Sequence, residues 1–173
     1  MNVFSGTVRD GLGAPVAGVS NTAGGITATS DGAGRYEMKS SASSLAVTAV
    51  VPPSGYEGGY RGYGTLTPGE HDIQTRRVVR LTVAPPATLA LSDGTYWRGV
   101  NPTVEYDTGV TTLLTGSREE DVRITTSNEA ILKPRRDGGR PVIEGLSLGT
   151  ASVTATYWGV MSTAVSVEVV PNR

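Results

Sequence analysis

The sequence lacks cysteine altogether and has only one histidine and one phenylalanine among its 173 residues. The missing cysteines exclude disulfides, thiolate metal sites and cysteine nucleophiles. Fifteen basic residues against sixteen acidic ones leave a net charge of −1, so no overall field attracts nucleic acid or an anionic membrane. No apolar run approaches the roughly 20 residues that a membrane-spanning helix needs. We therefore expect no nucleic-acid partner and no membrane insertion.

The first residues do not have the pattern of a secretion signal. Met1 is followed directly by strand-like sequence, without a basic segment or an apolar core. Either an export signal has been removed, or the protein leaves its cell by lysis or by assembly into a particle. We favour the second interpretation.

Glycine and proline are abundant, at 23 and 10 residues. Together with many valines and threonines they are typical of an all-β sandwich or barrel. No window has a sustained helical period, so we expect little helix. The pair Pro85-Pro86 cannot donate to a sheet and favours a stiff linker. The sequence therefore predicts an all-β fold of two tandem antiparallel β-sandwich domains, 1–84 and 87–173, joined by residues 85–86.

Alternating apolar residues between turn residues predict the strands. In the first domain, Gly25–Thr29 and Arg35–Met38 are predicted to form a hairpin, and the other strands are Val3–Val8, Val16–Val19, Leu45–Val51 and Val78–Val83. In the second domain the predicted strands are Thr88–Leu91, Thr103–Tyr106, Asp121–Thr126, Val142–Glu144, Ala151–Tyr157 and Ser162–Val169.

Residues 4–50 carry an ordered set of motifs: Gly6-Thr7-Val8, Asp10, Gly13, Pro15-Val16, Gly18-Val19, Thr27, Thr29, Asp31, Gly34 and Tyr36. This order resembles the carboxypeptidase regulatory-like family, which implies a transthyretin-like sandwich. In its turn we expect Asp31 to hydrogen-bond the local backbone, Gly34 to take a positive φ, and Tyr36 to point into the core.

Residues 87–170 carry a second set: Thr126-Ser127-Asn128-Glu129-Ala130-Ile131-Leu132, Ile143-Glu144-Gly145, Gly149-Thr150-Ala151-Ser152-Val153-Thr154-Ala155 and Ala164-Val165-Ser166-Val167-Glu168-Val169. This set is similar to the bacterial immunoglobulin-like domain of invasin- and intimin-type adhesins. Ile124 stands where many members have Trp, and Arg135 to Arg140 lengthen the middle hairpin. Both families imply non-catalytic modules of bacterial surface proteins or of tailed-phage virions.

Two segments resemble a catalytic site or a metal-binding site. Gly145-Leu146-Ser147-Leu148-Gly149 matches the G-x-S-x-G nucleophile motif, but that motif needs a strand-to-helix elbow and a histidine partner. The one histidine, His71, lies in the other domain within Gly69-Glu70-His71-Asp72. We expect Ser147 to lie in a β-turn and His71 in a solvated turn, with no catalytic residue, no metal and no cofactor.

Three groups of residues are candidates for a binding interface. Tyr56, Tyr60, Arg61 and Tyr63 lie on a glycine-rich loop and supply rigid amphipathic contact area; the alternative is that the tyrosines fold back over the sandwich edge. Arg135, Arg136 and Arg140 form a basic hairpin tip that either meets an acidic partner or a phosphate or is simply solvated. Trp97 and Trp158 lie at strand ends or turns, where they either pack at one end of the sandwich or present an aromatic surface.

These features together predict a non-enzymatic structural or binding protein. The favoured hypothesis is a tailed-phage virion accessory protein (head decoration, collar or tail-associated). It would contact capsid or tail proteins and itself as a homo-oligomer. The alternative is a bacterial cell-surface adhesin or a carbohydrate-binding accessory module, with a host-surface glycan as partner. This choice depends on analogy between folds.

Overall fold

A computed structural model describes residues 1–58, 64–94 and 96–172 of the chain. The chain forms two compact units, Met1–Val78 and Val79–Arg173. The boundary between the two units falls after Val78, before Pro85-Pro86 in the sequence. Residues 79–84 therefore belong to the second unit and not to the first. The role of the proline pair as a linker stays a prediction.

The strands are short, as the frequent turn residues predict, and they are numbered here along the chain. Those that begin in the first unit are β1 Asn2–Arg9, β2 Ser20–Ala23, β3 Ile26–Thr29, β4 Arg35–Ser40, β5 Leu45–Val51, β6 Tyr56–Glu57, β7 Thr65–Leu66, β8 Gly69–Glu70, β9 Ile73–Gln74 and β10 Arg76–Thr82.

The second unit adds β11 Thr88–Ala90, β12 Arg98–Gly99, β13 Thr103–Tyr106, β14 Thr111–Leu113, β15 Arg123–Thr126, β16 Leu132–Asp137, β17 Arg140–Gly145, β18 Gly149–Tyr157, β19 Val160–Met161 and β20 Val165–Val170. A short 3-10 helix, Gly116–Asp121, precedes β15. It is the one helical element in the ranges 1–58, 64–94 and 96–172, which confirms the prediction of little helix. No helix in those ranges is long and apolar enough to cross a membrane.

Two sheets enclose the core of the first unit. One contains β4, β1 and the short parallel strands β8 and β9, and the other has the order β3-β2-β5-β7. Inward side chains from both sheets pack together, and the buried set is Phe4, Val8, Val16, Val19, Ala23, Tyr36, Met38, Leu45, Val50, Leu66 and Ile73. The alternation of β1, in which Phe4, Gly6 and Val8 face inward, follows from the two-residue period of a strand.

The predicted hairpin of Gly25–Thr29 with Arg35–Met38 is wrong. Strand β3 pairs with β2, whereas β4 pairs with β1 in the opposite sheet. The buried hydroxyl of Ser30 explains the difference, because it donates to the carbonyl of Val16 (2.8 Å) and accepts from the amide of Val19 (2.9 Å). These bonds hold the end of β3 against the 16–19 segment, and the following turn carries the chain across to the other sheet.

The segment Val16–Val19 does not form the predicted strand. Its two valines are nevertheless buried in the core, so their apolar character reflects core packing and not strand pairing.

The second unit is also layered. One sheet has the order β11-β20-β18-β15, with β19 on β18, and another has the order β12-β17-β16. Residues of both contribute to one core: Leu89, Val100, Leu132, Ile143, Ala151, Val153, Val167 and Val169. The predicted alternation of β18 is confirmed, since Ala151, Val153, Ala155 and Tyr157 are all buried. The fold is therefore all-β, with two β-sandwich units.

Candidate functional site

The second unit carries an open groove of about 510 Å³ that brings two of the predicted interface residues together. We call it the Trp97 groove. Its lining residues are Ala84, Pro85, Pro86, Trp97, Arg98, Gly99, Asn101, Asp137, Arg140 and Val142. Trp97 and Arg140 were predicted from the sequence as members of separate groups, and both lie in this groove.

Strand pairing sets the floor of the groove. Arg98 and Gly99 of β12 pair with Ile143 and Val142 of β17. A Cβ on Gly99 would lie 2.7 to 3.1 Å from the Nη2, Cζ and Nε atoms of Arg140. The guanidinium thus occupies the space that a side chain at residue 99 would need. The absence of a side chain at this position therefore lets the guanidinium lie against the sheet.

Polar contacts fix the Arg140 side chain in that position. Its Nη2 donates to Asn101 Oδ1 at 2.9 Å, and its Nε lies 3.6 Å from Glu119 Oε1. Asn101 has a φ of +44°, a left-handed conformation that asparagine tolerates better than most residues. Its Nδ2 also donates to the carbonyl of Ala84 at 3.4 Å. Asn101 thus links Arg140 to Ala84, the residue directly before Pro85 and Pro86 of the groove.

Trp97 supplies the aromatic side chain of the groove. Trp97 is 36% exposed, a large value for an indole, which is usually mostly buried. The guanidinium of the neighbouring Arg98 stacks 4.0 Å from the ring centre of Tyr96, and that ring packs against the core of the unit. Cation–π stacking orders an otherwise flexible side chain beside the tryptophan.

The remaining arginines of the basic hairpin already have protein partners. The hairpin β16–β17 turns at Gly138-Gly139, both with positive φ, as a two-residue turn requires. Arg135 forms an ion pair with the buried carboxylate of Glu144. Arg136 donates to the carbonyls of Glu119 (2.7 Å) and Gly139 (2.8 Å), and also to Val122. Arg136 therefore holds the 3-10 helix against the hairpin.

Trp158 is not among the residues that line the groove. It is half-buried in the turn between β18 and β19, with a φ of +46°, followed by Gly159 at +82°. Its ring makes an edge-to-face contact with Tyr157, with ring centres 6.5 Å apart. This places Trp158 at the rim of the sandwich.

The tyrosine loop is described only in part. Tyr56 lies in β6, is half-buried and packs against the core of the first unit. Tyr60, Arg61 and Tyr63 lie outside the described residues, so their interface role stays a prediction.

Ser147 and His71 have backbone partners. The hydroxyl of Ser147 donates to the carbonyl of Ala130 at 2.7 Å, in a loop that joins two strands and not a strand to a helix. His71 Nε2 lies 2.6 Å from the carbonyl of Thr67. Because a carbonyl only accepts, this ring nitrogen carries a proton. Within the described ranges, no cluster of three or more histidine, aspartate or glutamate side chains could hold a metal ion.

Next to His71, the Asp72 carboxylate accepts hydrogen bonds from the hydroxyl (2.7 Å) and the backbone amide (2.9 Å) of Thr7. These bonds, with a smaller contribution from the charge of Arg9, lower the pKa of Asp72 below its usual 3.8. The bonds tie the turn to β1.

Arg98, Asn101 and Asp137 were not among the site residues predicted from the sequence. The signal available was weak: Trp97-Arg98-Gly99-Val100-Asn101 places an aromatic, a cation and an amide within five residues, but many surface turns do so. Only the pairing of β12 with β17 brings this segment beside Arg140.

No family model matches the chain, and no curated protein matches it. The two family resemblances given above therefore stay predictions.

Several solved structures are similar to the chain. It is 11% identical to BcpA, the major pilin subunit of Bacillus cereus, over 99% of this chain and 69% of that one, with a TM-score of 0.37. Domains 4 and 5 of the S-layer protein SbsC are 16% identical over 87% and 99% of the two chains, with a TM-score of 0.42. A DUF3823 family protein from Bacteroides ovatus is 10% identical over 97% and 99%, with a TM-score of 0.40. At TM-scores below 0.5 these similarities add nothing to the β-sandwich architecture, which follows from the strand pairing.

Proposed function

We propose that the protein is a non-enzymatic binding protein whose second unit holds a glycan in the Trp97 groove. The observation that carries the proposal is an exposed indole beside planar polar side chains on a rigid sheet. Asn101, Asp137 and Arg140 supply amide, carboxylate and guanidinium groups along the same groove.

This combination suits a sugar ring. One face of a pyranose presents C–H groups that pack against an aromatic ring, while its hydroxyls donate and accept hydrogen bonds at the ring edge. Carboxylate and amide oxygens accept from those hydroxyls, and guanidinium and amide nitrogens donate to them. An indole supplies the apolar contact area for such a ligand at little cost in side-chain entropy.

The internal partners of the basic hairpin favour a sugar over a phosphate. Arg135 is paired with Glu144, and Arg136 is directed at backbone carbonyls. Arg140 lies near Glu119. A phosphate site would need cations whose charge is not already balanced by protein partners. Hydrogen bonding to neutral hydroxyls has no such requirement.

The test is binding of the full chain to an array of cell-surface saccharides, followed by titration with the saccharide that gives the strongest signal. Replacing Trp97 by Ala should weaken binding at least about ten-fold, the loss typical of an aromatic anchor. Trp158→Phe is the matched control. It leaves Trp97 as the single tryptophan, so quenching or a shift of its emission reports ligand in the groove directly.

A second variant tests the polar side of the groove. Gly99→Ala should displace the Arg140 guanidinium, which is the flexible end of a side chain, so the fold should keep its stability while affinity falls. Saccharide binding that is unchanged in both Trp97→Ala and Gly99→Ala, or no binding to any saccharide on the array, contradicts the proposal.

The biological setting is a separate part of the proposal. The sequence favours a tailed-phage virion accessory protein, and the alternative is a protein of the bacterial surface. A glycan-binding β-sandwich fits both. Incubation of the labelled chain with phage particles and with bacterial cells, followed by electron microscopy, separates the two. Regular density on capsids or tails supports the virion role. Binding to cells alone, competed by the free saccharide, supports the surface role.

A further inference from the structure

The edge strand β4 of the first unit carries charges of alternating sign. It pairs with β1 and stands at the end of its sheet. Its outward side chains, those of Arg35, Glu37 and Lys39, are exposed. Lys39 Nζ lies 2.9 Å from Glu37 Oε1 on the surface. Glu37 also lines an open groove of about 540 Å³, so solvent reaches this edge.

The register of β4 on β1 shows which of its backbone groups point to the open edge. Residues of an antiparallel pair alternate between facing the partner strand and facing away from it. The carbonyls of Ser5 and Arg9 accept hydrogen bonds from the amides of His71 and Thr75, so the odd-numbered residues of β1 face away from β4. The even-numbered residues of β1 pair with even-numbered residues of β4. The amides and carbonyls of the odd-numbered residues of β4 therefore point outward, away from β1.

Of these outward-pointing residues, Arg35 already has a backbone partner. Its amide donates to the carboxylate of Asp31 at 2.8 Å, and its carbonyl accepts from the Asp31 amide at 2.9 Å. No described strand lies on the open side of Glu37 and Lys39. A strand edge with unpaired amides and carbonyls is a template on which another strand can pair.

We propose that this edge binds the same edge of a second copy of the chain, in an antiparallel pairing centred on Met38. In that register Glu37 of each copy lies opposite Lys39 of the other copy. The free amides and carbonyls of the two opposed residues then point at each other, so the two residues exchange both hydrogen bonds. Opposite charges on directly opposed residues stabilise a strand pair further.

The charge pattern disfavours the other registers of the same two strands. A shift by two residues places Glu37 opposite Glu37 in one direction and Lys39 opposite Lys39 in the other. A shift by one residue opposes residues that face the edge with residues that face β1, so the hydrogen bonds do not form. A parallel pairing in register brings like charges side by side. The pairing centred on Met38 is thus favoured by both the backbone and the charges.

The contact is small, which limits its strength. A single pair of short strands buries less than the roughly 1,200–2,000 Å² of a stable protein interface, so we expect a dissociation constant of about 0.1–1 mM. Such a contact becomes effective where many copies are held close together, because a shared support raises their local concentration.

Sedimentation equilibrium of the full chain, 17.9 kDa, measures the association between about 10 µM and 1 mM. We expect the average mass to rise toward that of a dimer with increasing concentration. In 15N spectra over the same range, the amide signals of Glu37 and Lys39 should shift, because these amides gain hydrogen bonds. Signals of the second unit should stay unchanged.

Charge reversal tests the register. Glu37→Lys and Lys39→Glu each place like charges opposite one another, so each should weaken self-association at least about ten-fold. An equal mixture of these two variants restores opposite charges at both positions and should associate as the unaltered chain does. The double variant, Glu37→Lys with Lys39→Glu, also keeps opposite charges and should dimerise. Both side chains are exposed, so all variants should fold.

A chain that stays monomeric up to about 1 mM overturns the inference, and the charges then serve to protect the edge from pairing. Self-association that both single variants retain, or that their mixture fails to restore, also overturns it, because the contact then lies elsewhere. Saccharide binding involves the other unit, so each of these failures leaves the proposal for the Trp97 groove untouched.

Discussion

Replacement of Gly6 by Ala should destabilise the first unit severely, because the backbone of another segment occupies the space of a side chain. A Cβ on Gly6 would lie 1.9 Å from the carbonyl oxygen of His71 and 2.6 Å from its carbonyl carbon. Ordinary contact begins near 3.4 Å. The His71 peptide would therefore have to move by more than an ångström, and it is not a flexible side chain that can rotate away.

The magnitude follows from what that movement breaks. The His71 carbonyl accepts from the Tyr36 hydroxyl, and the His71 amide donates to Ser5. Each of these two hydrogen bonds contributes about 0.5–1.5 kcal/mol, and overpacking of a core adds about 1–3 kcal/mol. We expect a loss of about 4 kcal/mol, a large fraction of the roughly 5–15 kcal/mol that stabilises a typical domain.

The measurement is urea unfolding of the full chain, followed by the backbone amide signals of residues 1–58 and 64–78 so that the first unit is observed by itself. Gly32→Ala is the matched control, because it is in the same unit, has no positive φ and has nothing within 4 Å of the new Cβ. It should change the free energy of unfolding by less than about 0.5 kcal/mol. If Gly6→Ala costs no more than about 1 kcal/mol beyond this control, the close approach of the His71 carbonyl to β1 is refuted.

Three further predictions test individual contacts. Ser30→Ala removes two buried hydrogen bonds and should lower the free energy of unfolding by about 1–3 kcal/mol in urea; an unchanged midpoint would contradict the role of this hydroxyl. Arg136→Ala should cost about 2 kcal/mol and increase amide exchange in the 3-10 helix Gly116–Asp121, whereas exchange equal to the parent would mean that its carbonyl contacts are dispensable. Asp72 has a lowered pKa, so its contribution to stability is present above pH 3.8 and is lost as the pH falls below that value. Asp72→Asn should therefore flatten the acid limb of the stability curve, and an identical slope in parent and variant would exclude the bonds from Thr7 as its source.

The turn after β3 shows what sequence patterns predict well. The carboxylate of Asp31 accepts from the amides of Ala33 (2.9 Å) and Arg35 (2.8 Å), Gly34 has a φ of +75°, and Tyr36 is buried. All three features were predicted, because they depend on residues within one turn of each other.

Long-range pairing limited the prediction elsewhere. The same turn was expected to close a hairpin, but its two flanking strands pair with β2 and β1 in opposite sheets. Alternating apolar residues define which face of a strand is buried and not which strand lies beside it. The bonds of Ser30 to Val16 and Val19 decide the outcome, and nothing in the local pattern reveals them.

The candidate sites show the same limit. Trp97 and Arg140 were notable as residue types, yet their meeting in one groove depends on the pairing of β12 with β17.

The pairing of β11 with β20 has a mechanical consequence. These strands come from the beginning and the end of the second unit's sequence, and they pair in parallel, with Thr88, Leu89 and Ala90 opposite Glu168, Val169 and Val170. Tension applied to the chain before β11 and after β20 pulls two parallel strands in opposite directions along their length. Their hydrogen bonds are then loaded together in shear, and they must rupture as a group, whereas a hairpin pulled at its open end unzips one bond at a time. The second unit should therefore resist extension along its own chain.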